Sequence, residues 1–333
     1  MRRATERRPR AAATGVAILC VATLALAVAG SDGSIKPGSL GSKCGVFPRP
    51  GNEVGADSPS LADQRAWNQD ISGAPADPHS DAIIAGLDGD LHPDFGSPRE
   101  YGIPYKVVGK GAKRVKVKFT AYGDEADHGK YRVPLNAPVE GGANADGDRH
   151  VIVYDKARCK LYELYRGFPQ QRQKRWDADV GVIWDLRSAG LRTDGYTSAD
   201  AAGLPIFPGL VRYDEVKSGH IDHAIRVTFD TTRDGWIHPA SHCAGSTQSA
   251  DAPPMGMRFR LKGGYDISGI TGEARVIAEA LKQYGFINAD NGSNWYLQGS
   301  SDPRWNDESL NQLKEIPGSA FEVVRSQADV QLC

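Results

Sequence analysis

Short stretches of alternating apolar and polar residues recur along the middle of the chain. In the clearest of them, residues 114–122, every second residue is apolar, which is the period of a strand with one buried face. Residues 150–154 and 159–165 flank a short loop and predict a β-hairpin. Residues 91–96, with a Pro and a Gly, predict a fixed turn. Further short segments predict strands over 180–186, 224–229, 257–261, 295–297 and 321–324.

Helices are predicted mainly near the C-terminus. Thr271 can cap a helix that ends near Gly285, and Asn306 can cap a second helix that Pro317 stops. A short amphipathic helix is also predicted over residues 58–71. The chain is rich in turn-forming residues, with 38 Gly and 20 Pro among 333 residues. We therefore predict a mostly β protein, an antiparallel β-sandwich or jelly-roll-like single domain with two or three short helices.

The first 29 residues have the three parts of a secretory signal peptide. Arg dominates the first ten positions, an apolar run covers 11–28, and small residues at 27–29 offer a cleavage site. The run is nearly long enough to cross a bilayer, so an uncleaved anchor is the alternative. The polar, Gly-rich stretch that follows favours cleavage. We predict a secreted, extracellular protein with no stable membrane insertion, in which residues 1–29 are the signal peptide, 30–60 a flexible segment and 61–333 one β-rich domain.

Charge and cysteine content indicate which partners the chain does not bind and in which compartment it folds. The formal net charge is −1, and removal of the basic leader leaves a mildly acidic chain, so we predict no binding to nucleic acid. Four cysteines remain after cleavage, which predicts up to two disulfides in an oxidising compartment. Cys243 follows His242, so a Cys/His nucleophile or metal site is the alternative for that thiol. The pairing is left open among Cys44, Cys159, Cys243 and Cys333.

One block in the middle of the chain carries a family resemblance. Residues 194–216 read DGYTSADAAGLPIFPGLVRYDEV, and they resemble the hallmark block of a family of secreted bacterial proteins. Segments 147–150, 221–224 and 289–292 fit the same family, so the resemblance extends from about Trp67 to Val324. His238 departs from the pattern, because the family often has an aromatic or aliphatic residue there. The resemblance implies that the protein is exported, and it implies no particular reaction.

Acidic side chains are the main candidates for catalysis. A pair of carboxyls can hydrolyse a glycosidic bond, one as the general acid and the other as base or nucleophile. Glu140 and Asp148 flank a Gly-rich loop that leads into the hairpin. Glu140 is interpreted either as a catalytic acid or as a solvated loop acid. Asp185 ends a predicted strand beside an aromatic residue. For Asp194 and Asp200 the neighbouring Gly and Ser favour Asx turns and caps.

Two histidines complete the predicted catalytic set of Glu140, Asp148, Asp185, His223 and His242. His223 opens a strand directly after the block and is assigned as a proton carrier or orienting group. His238 and His242 have the spacing of a helical metal site, but Pro239 breaks any helix between them, and we predict no metal. No dinucleotide, phosphate-loop or serine-hydrolase motif governs the chain, and we predict no cofactor.

These features together predict a secreted carbohydrate-active enzyme, a glycoside hydrolase or polysaccharide lyase. Its partner would be a polysaccharide or a cell-envelope glycan, stacked on Trp184, Tyr213 and Trp236; packing in the core is the alternative for the Trp residues. The rival function is a non-catalytic carbohydrate-binding or envelope-associated structural protein, with aromatics on an exposed face and no shifted pair of acids. A metal-dependent hydrolase is a third possibility, and it requires three histidines to converge.

Overall fold

Most of the alternating segments are β-strands in the computed structural model, which describes residues 66–187 and 191–333. The strands in chain order are β1 His92–Asp94, β2 Tyr105–Val108, β3 Lys116–Phe119, β4 Val151–Asp155, β5 Lys160–Tyr165, β6 Phe168–Gln170, β7 Arg175–Ala178, β8 Val180–Asp185, β9 Ile225–Phe229, β10 Arg233–Trp236, β11 Pro254–Met255, β12 Arg258–Leu261, β13 Phe286–Asn291, β14 Tyr296–Gln298, β15 Phe321–Val323 and β16 Gln331–Leu332. The helices are α1 Ser80–Ala85, α2 Ile206–Gly209, α3 Tyr213–Lys217, α4 Gly272–Gln283 and α5 Asp307–Asn311.

The strands form two larger and two smaller sheets. The six-stranded sheet has the order β1-β14-β9-β13-β12-β15, and the four-stranded sheet has the order β2-β4-β5-β8. The three-stranded sheets are β3-β7-β6 and β11-β10-β16. The mostly β class with few short helices is therefore confirmed. The sheets are mixed rather than antiparallel, because β1 runs parallel to β14, β9 to β13 and β2 to β4. A jelly-roll order is not among these arrangements.

One face of the six-stranded sheet packs on an apolar core, and the other face is polar only in part, since Ile287 and Ala289 belong to a further hydrophobic cluster. Ile225, Val227 and Phe229 of β9 point into a core that also includes Ile277 and Leu281 of α4. Because alternate residues of a strand point to opposite faces, Arg226 and Thr228 lie on the other face. That second face carries the polar residues described below.

The four-stranded sheet is covered on both faces. All five residues of β4 are buried, and they divide between two hydrophobic clusters, with Ile152 and Tyr154 in one and Val151 and Val153 in the other. A strand buried on both faces has a nearly continuous apolar sequence. The predicted hairpin is confirmed, with Asp155 of β4 paired with Lys160 of β5.

The C-terminal helices agree with their sequence signals. Thr271 is the N-cap residue of α4, which ends before Gly285, a residue with φ of +63°. Asn306 caps α5 by accepting a hydrogen bond from Ser309 N–H at 3.1 Å. Of the helix predicted over 58–71, the described part contains only a 3-10 turn at Ala66–Asn68, and the rest lies outside the described residues.

Two strands of the six-stranded sheet were not predicted. Residues 91–96 were assigned to a turn, yet His92–Asp94 is the edge strand β1, where Pro93 is tolerated because an edge strand has a side without hydrogen bonds. The central strand β13 has no alternating pattern, since Asn288 is buried within it as a polar residue.

A disulfide joins Cys243 to Cys333, so the Cys/His interpretation of Cys243 is wrong. Cys159 is disulfide-bonded as well, and Cys44 lies outside the described residues, as do the predicted signal peptide and flexible segment. Among the helices of 66–187 and 191–333, each is too short or too polar to cross a membrane.

Candidate functional site

A row of polar side chains crosses three strands on the second face of the six-stranded sheet. Asp94 of β1 is in register with Gln298 of β14, whose Oε1 accepts a hydrogen bond from Arg226 Nε of β9 at 2.7 Å. Residues two apart in a strand share a face, so His92 and Tyr296 belong to the same row. Their rings stack with centroids 4.4 Å apart. This row, with a carboxyl beside an aromatic pair, is the base of the candidate site.

Arg226 is the buried cation of the row. Its side chain is fully buried, and Nη1 donates a hydrogen bond to Asp200 Oδ2 at 2.5 Å. Its Nη2 lies 3.7 Å from Asp290 Oδ2 and has no hydrogen-bond partner among the described residues. A buried guanidinium requires nearby counter-charges, and these two carboxylates supply them. Asp200 also accepts a hydrogen bond from Leu204 N–H at 2.8 Å, which fixes its position.

Glu140 and His150 form a second charged pair. His150 Nδ1 donates to Glu140 Oε2 at 2.6 Å, and the backbone N–H of His150 donates to the same oxygen at 3.2 Å. His150 Nε2 is 2.9 Å from the carbonyl oxygen of Ala199. Both ring nitrogens thus face groups that only accept hydrogen bonds, an arrangement that requires the doubly protonated imidazolium. Ala199 precedes Asp200, so this loop connects the entry of β4 to Arg226 of the six-stranded sheet.

The pKa shifts of this pair have opposing causes. Burial alone lowers the pKa of His150, but the charge and hydrogen bond of Glu140 outweigh it and raise the pKa to about 9. Burial pushes the pKa of Glu140 upward, but His150 and then Arg226 bring it below its usual value. Glu140 is therefore ionised at neutral pH, and its side chain is still 25% exposed.

Asp94 and Asp290, like the buried Asp200, have raised pKa values. Burial, together with the charge of Glu140, raises the pKa of Asp94 to about 6. No described residue donates a hydrogen bond to the Asp94 carboxyl to offset this. Burial also raises the pKa of Asp290 to about 6, against the opposing charge of Arg226. Asp148 is exposed nearby, and its charge raises the pKa of both His150 and Asp290. We call Asp94, Glu140, Asp148 and Asp290 the acidic cluster.

Three segments that the sequence analysis singled out lie in or beside this cluster. Segment 147–150 contributes Asp148 and His150, the 194–216 block contributes Asp200, and segment 289–292 contributes Asp290. The prediction of turn and cap roles for Asp200 is only partly right. It accepts the local hydrogen bonds of such a turn, but it also binds Arg226 of another element.

Of the predicted catalytic residues, Glu140 and Asp148 lie in the cluster and Asp185 does not contribute to it. The Asp185 carboxylate at the end of β8 binds Lys160 Nζ at 2.9 Å and Arg187 Nε at 3.2 Å. Burial would raise its pKa, but these hydrogen bonds lower it to about 2. A carboxylate that is so strongly held in its ionised form is a poor proton donor.

His223 is enclosed in a structural network. The ring is fully buried, Nδ1 donates to the Ala224 carbonyl at 2.7 Å, and Nε2 is 3.2 Å from both Glu215 carboxylate oxygens. Arg212 binds the same carboxylate at 2.5 Å. This network ties α3 to the start of β9. A ring with no exposed surface cannot reach a substrate, so the prediction of His223 as a proton carrier is wrong, and its hydrogen bonds are structural.

The remaining predicted residues also make structural contacts. His242 Nδ1 is 2.9 Å from the Ala201 carbonyl. Trp184 and Trp236 are 4% and 7% exposed, so their rings have no open face for a sugar. One face of the partly buried Tyr213 is covered by the Arg304 guanidinium, 4.2 Å from the ring centre. The aromatic pair in the polar row, His92 and Tyr296, was not predicted.

Metal-ligand geometry is present at one place in the described ranges. There Asp234, Cys243 and Cys333 have ligand atoms within 4.8 Å of one another, but the two cysteines are joined in the disulfide and offer no thiolate. No three carboxyls of the acidic cluster have oxygens that all lie within 4.8 Å of one another. Comparison of the chain with protein-family models, curated proteins and solved structures finds no match.

Proposed function

We propose that the chain is a secreted glycoside hydrolase whose acid–base pair is Asp94 and Glu140. The observation that carries the proposal is the opposite shift of two neighbouring carboxyls. The pKa of Asp94 is raised to about 6, whereas His150 lowers the pKa of Glu140. Environments that push two carboxyl pKa values apart divide the roles of acid and base between them. Export through residues 1–29 fits the disulfide, which is typical of oxidising compartments.

The chemistry follows from these two protonation states. Protonated Asp94 donates its proton to the glycosidic oxygen as the bond to the anomeric carbon breaks. The Glu140 carboxylate either attacks that carbon or removes a proton from the attacking water. His150 acts as a positioning residue, because its two hydrogen bonds to Oε2 hold Glu140 in place. The carboxylates around the site stabilise positive charge that develops on the sugar ring.

Hydrolysis is favoured over the lyase alternative by the charge at the site. A polysaccharide lyase acts beside a carboxylate of its own substrate, which the acidic cluster would repel. The non-catalytic alternative predicts acids without shifted pKa values, and the pKa of Asp94 and of Asp290 are both raised. These features support an enzyme that cleaves by acid–base hydrolysis.

The first test is a screen of the purified secreted form on a polysaccharide panel. New reducing ends report hydrolysis, and ultraviolet-absorbing unsaturated products report a lyase. We expect reducing ends only, with kcat reduced roughly 100-fold or more by Asp94→Asn and by Glu140→Gln, the usual contribution of a general acid or base. Asp88→Asn removes an exposed acid six positions before Asp94 and serves as the control that keeps activity. Full activity in both site variants would contradict the assignment of Asp94 and Glu140 as the acid–base pair.

The pH profile of kcat/KM is the second test. Activity requires ionised Glu140 and protonated Asp94, so kcat/KM should fall below the usual carboxyl range and also fall above about 6. We expect a bell-shaped profile with an acidic optimum. A profile that rises from pH 6 to alkaline pH would require a different proton donor.

A further inference from the structure

The sheet β3-β7-β6 has an apolar inner face and a charged outer face. Trp176 of β7 is buried in a hydrophobic cluster with residues of β4, and Val117 of β3 packs against the same cluster. Because alternate residues of a strand point to opposite faces, Lys116 and Lys118 of β3 lie on the outer face. Both lysines are exposed. The outer face is therefore accessible along its edge strand.

Positive charges lie side by side on this outer face. Lys116 of β3 is paired in register with Arg175 of β7, and directly paired residues share a face. The two strands are parallel, so residues 114–115 and 172–174, which precede them, lie at the same end of the sheet. We call the cations of these strands and of the two preceding segments the basic patch: Arg114, Lys116, Lys118, Arg172, Lys174 and Arg175.

The charge of the basic patch is largely uncompensated. Residues 109–118 and 170–178 contain a single acid, Asp177, although the whole chain has 40 basic and 41 acidic residues. Asp177 Oδ1 pairs with Arg175 Nε at 2.7 Å. Among the described residues, none of the other five cations of the patch forms an ion pair with a carboxylate. A local excess of positive charge thus lies on a chain whose formal net charge is −1.

Protection of a sheet edge explains only part of this patch. Strand β3 lies at the edge of its sheet, and lysines on an edge strand oppose pairing with another chain. That explanation covers Lys116 and Lys118. It does not cover Arg175 on the central strand β7, or Arg172 and Lys174 in the loop before that strand. A clustered excess of cations on two strands and a loop indicates an anionic partner.

The spacing of the cations matches an extended chain of negative groups. Lys116 and Lys118 are two residues apart in β3, which places their Cα atoms about 6.6 Å from each other. Neighbouring strands lie about 4.8 Å apart, so Arg175 begins a second row of charge beside the first. Charges at these intervals over two strands suit a polymer with one acidic group in each repeat better than a single compact anion.

The aromatic content of the face favours a polymer of sugars. Phe168 of β6 is paired in register with Asp177, which is paired with Lys118, so all three share the outer face. The Phe168 ring is 37% exposed, and such a ring offers a flat apolar surface to a sugar. Single-stranded nucleic acid is bound by several rings on which successive bases stack, whereas Phe168 is the one exposed aromatic residue of these three strands.

We propose that the basic patch binds an acidic polysaccharide, a glycan that carries a carboxylate on each sugar repeat. Lysines of the patch pair with these carboxylates, and Arg114 and Arg172 can each bind one through two N–H groups. The acidic cluster contributes no residue to the patch, and it would repel such a polymer. The inference is therefore independent of the proposed hydrolase, and it assigns the acidic glycan to attachment of the protein rather than to cleavage.

The test measures binding of the full secreted chain to polygalacturonate by titration calorimetry at pH 7. The fully methyl-esterified polymer of the same length is the matched probe, because it has the same backbone without the charges. We expect polygalacturonate to bind roughly tenfold or more tightly than the ester, as hydrogen bonds between charged groups allow. Added salt should weaken the binding, since the charges of the patch are exposed.

Two double variants locate the binding on the patch. Arg114→Gln with Lys116→Gln removes two charges at β3, and Arg172→Gln with Lys174→Gln removes two charges from the loop before β7. All four side chains are exposed, so we expect both variants to keep the fold. Each should weaken the binding of polygalacturonate roughly tenfold or more.

The control variant is Lys217→Gln with Arg325→Gln, which removes one Lys and one Arg charge from exposed positions elsewhere and should keep the affinity. An equal loss in the control would mean that net charge, and not the patch, attracts the polymer. Equal affinity for the acid and its ester, or full affinity in both patch variants, overturns the inference. Tighter binding to single-stranded DNA or to phosphatidylglycerol vesicles would assign the patch to another class of partner and overturns it as well.

Discussion

At the scale of single residues, the site contains a carboxyl, Asp94, that opposes folding at neutral pH. Asp94 gains no hydrogen bond from the described residues, and burial raises its pKa to about 6. A carboxyl whose pKa is higher in the folded state than in the unfolded chain stabilises the fold while it is protonated. That contribution is complete below the unfolded pKa near 3.8 and is lost as the pH rises through 6. Above pH 6 the ionised Asp94 therefore lowers the free energy of unfolding.

The variant Asp94→Asn should consequently be more stable than the natural chain at alkaline pH. A shift of this size predicts a gain of about 1–3 kcal/mol in the free energy of unfolding above pH 7. The gain should vanish well below pH 3.8, where the Asp94 carboxyl is neutral in the folded and in the unfolded chain. Thermal unfolding of both proteins at the two pH values measures it. A variant that is less stable at both values would show that Asp94 is a structural acid and would remove the basis for its catalytic role.

The pKa of His150 is also higher in the folded state than its ordinary value, although protonation gives this side chain a positive charge. Its folded pKa of about 9 lies above the ordinary value of 6.5, so its pairing with Glu140 stabilises the fold fully below 6.5 and loses that effect as the pH rises through 9. Asp94 and His150 thus both stabilise the fold more when they are protonated. This pH dependence agrees with the acidic optimum expected for the activity.

At the scale of elements, the junction between α4 and β13 depends on one glycine. Gly285 has φ of +63°, and a Cβ there would lie 1.9 Å from the carbonyl oxygen of Phe259 in β12. We expect Gly285→Ala to lower the free energy of unfolding by at least about 2 kcal/mol, because both the backbone conformation and the contact become strained. Gly269→Ala is the matched control, since its Cβ would meet no atom within 4 Å. Denaturant titration compares them, and equal stability of the two variants would contradict the argument.

The elements that the sequence predicts well are those whose signal is local. The hairpin of β4 and β5 and the capped helices α4 and α5 follow from residues close together in the chain. Strand β13 was missed because Asn288 and Asp290 interrupt its apolar pattern. Each has a partner from elsewhere: Asn288 donates to the Pro254 carbonyl at 3.0 Å, and Asp290 faces Arg226.

The residues of the candidate site, too, could be predicted only where the signal is local in sequence. Glu140 and Asp148 were identified because a Gly-rich loop next to a strand is a common place for catalytic acids. Asp94 was missed because its neighbours in sequence indicate a turn, whereas its raised pKa comes from burial and from Glu140, far along the chain. His223 was chosen for its position beside the block, but only the fold reveals that Glu215 and Arg212 enclose it.

At the scale of the whole molecule, two sheets share one site through a loop. The loop at Ala199–Asp200 accepts a hydrogen bond from His150 at the entry of β4 and binds Arg226 of β9. The charged groups of the site therefore depend on the relative position of both sheets.

The last element of the chain is secured by a covalent link. Strand β16 pairs with β10 through Gly235 and Leu332, and the disulfide joins Cys333 to Cys243 across 90 positions. Closing so long a loop restricts the unfolded chain, so replacing both cysteines with Ser should lower the free energy of unfolding by about 2–5 kcal/mol. Neither β10 nor β16 supplies a residue of the acidic cluster. Activity measured well below the melting temperature should therefore be retained.

Denaturant unfolding of the natural chain with and without reductant provides the control for that double variant. Reduction should lower the midpoint of the natural chain by more than that of the variant, because only the natural chain has the 243–333 link to lose. The other disulfide, at Cys159, is present in both proteins, so any shift that reduction causes in the variant measures its contribution. Equal midpoints for the oxidised natural chain and the variant would mean that β16 is held by its strand pairing alone.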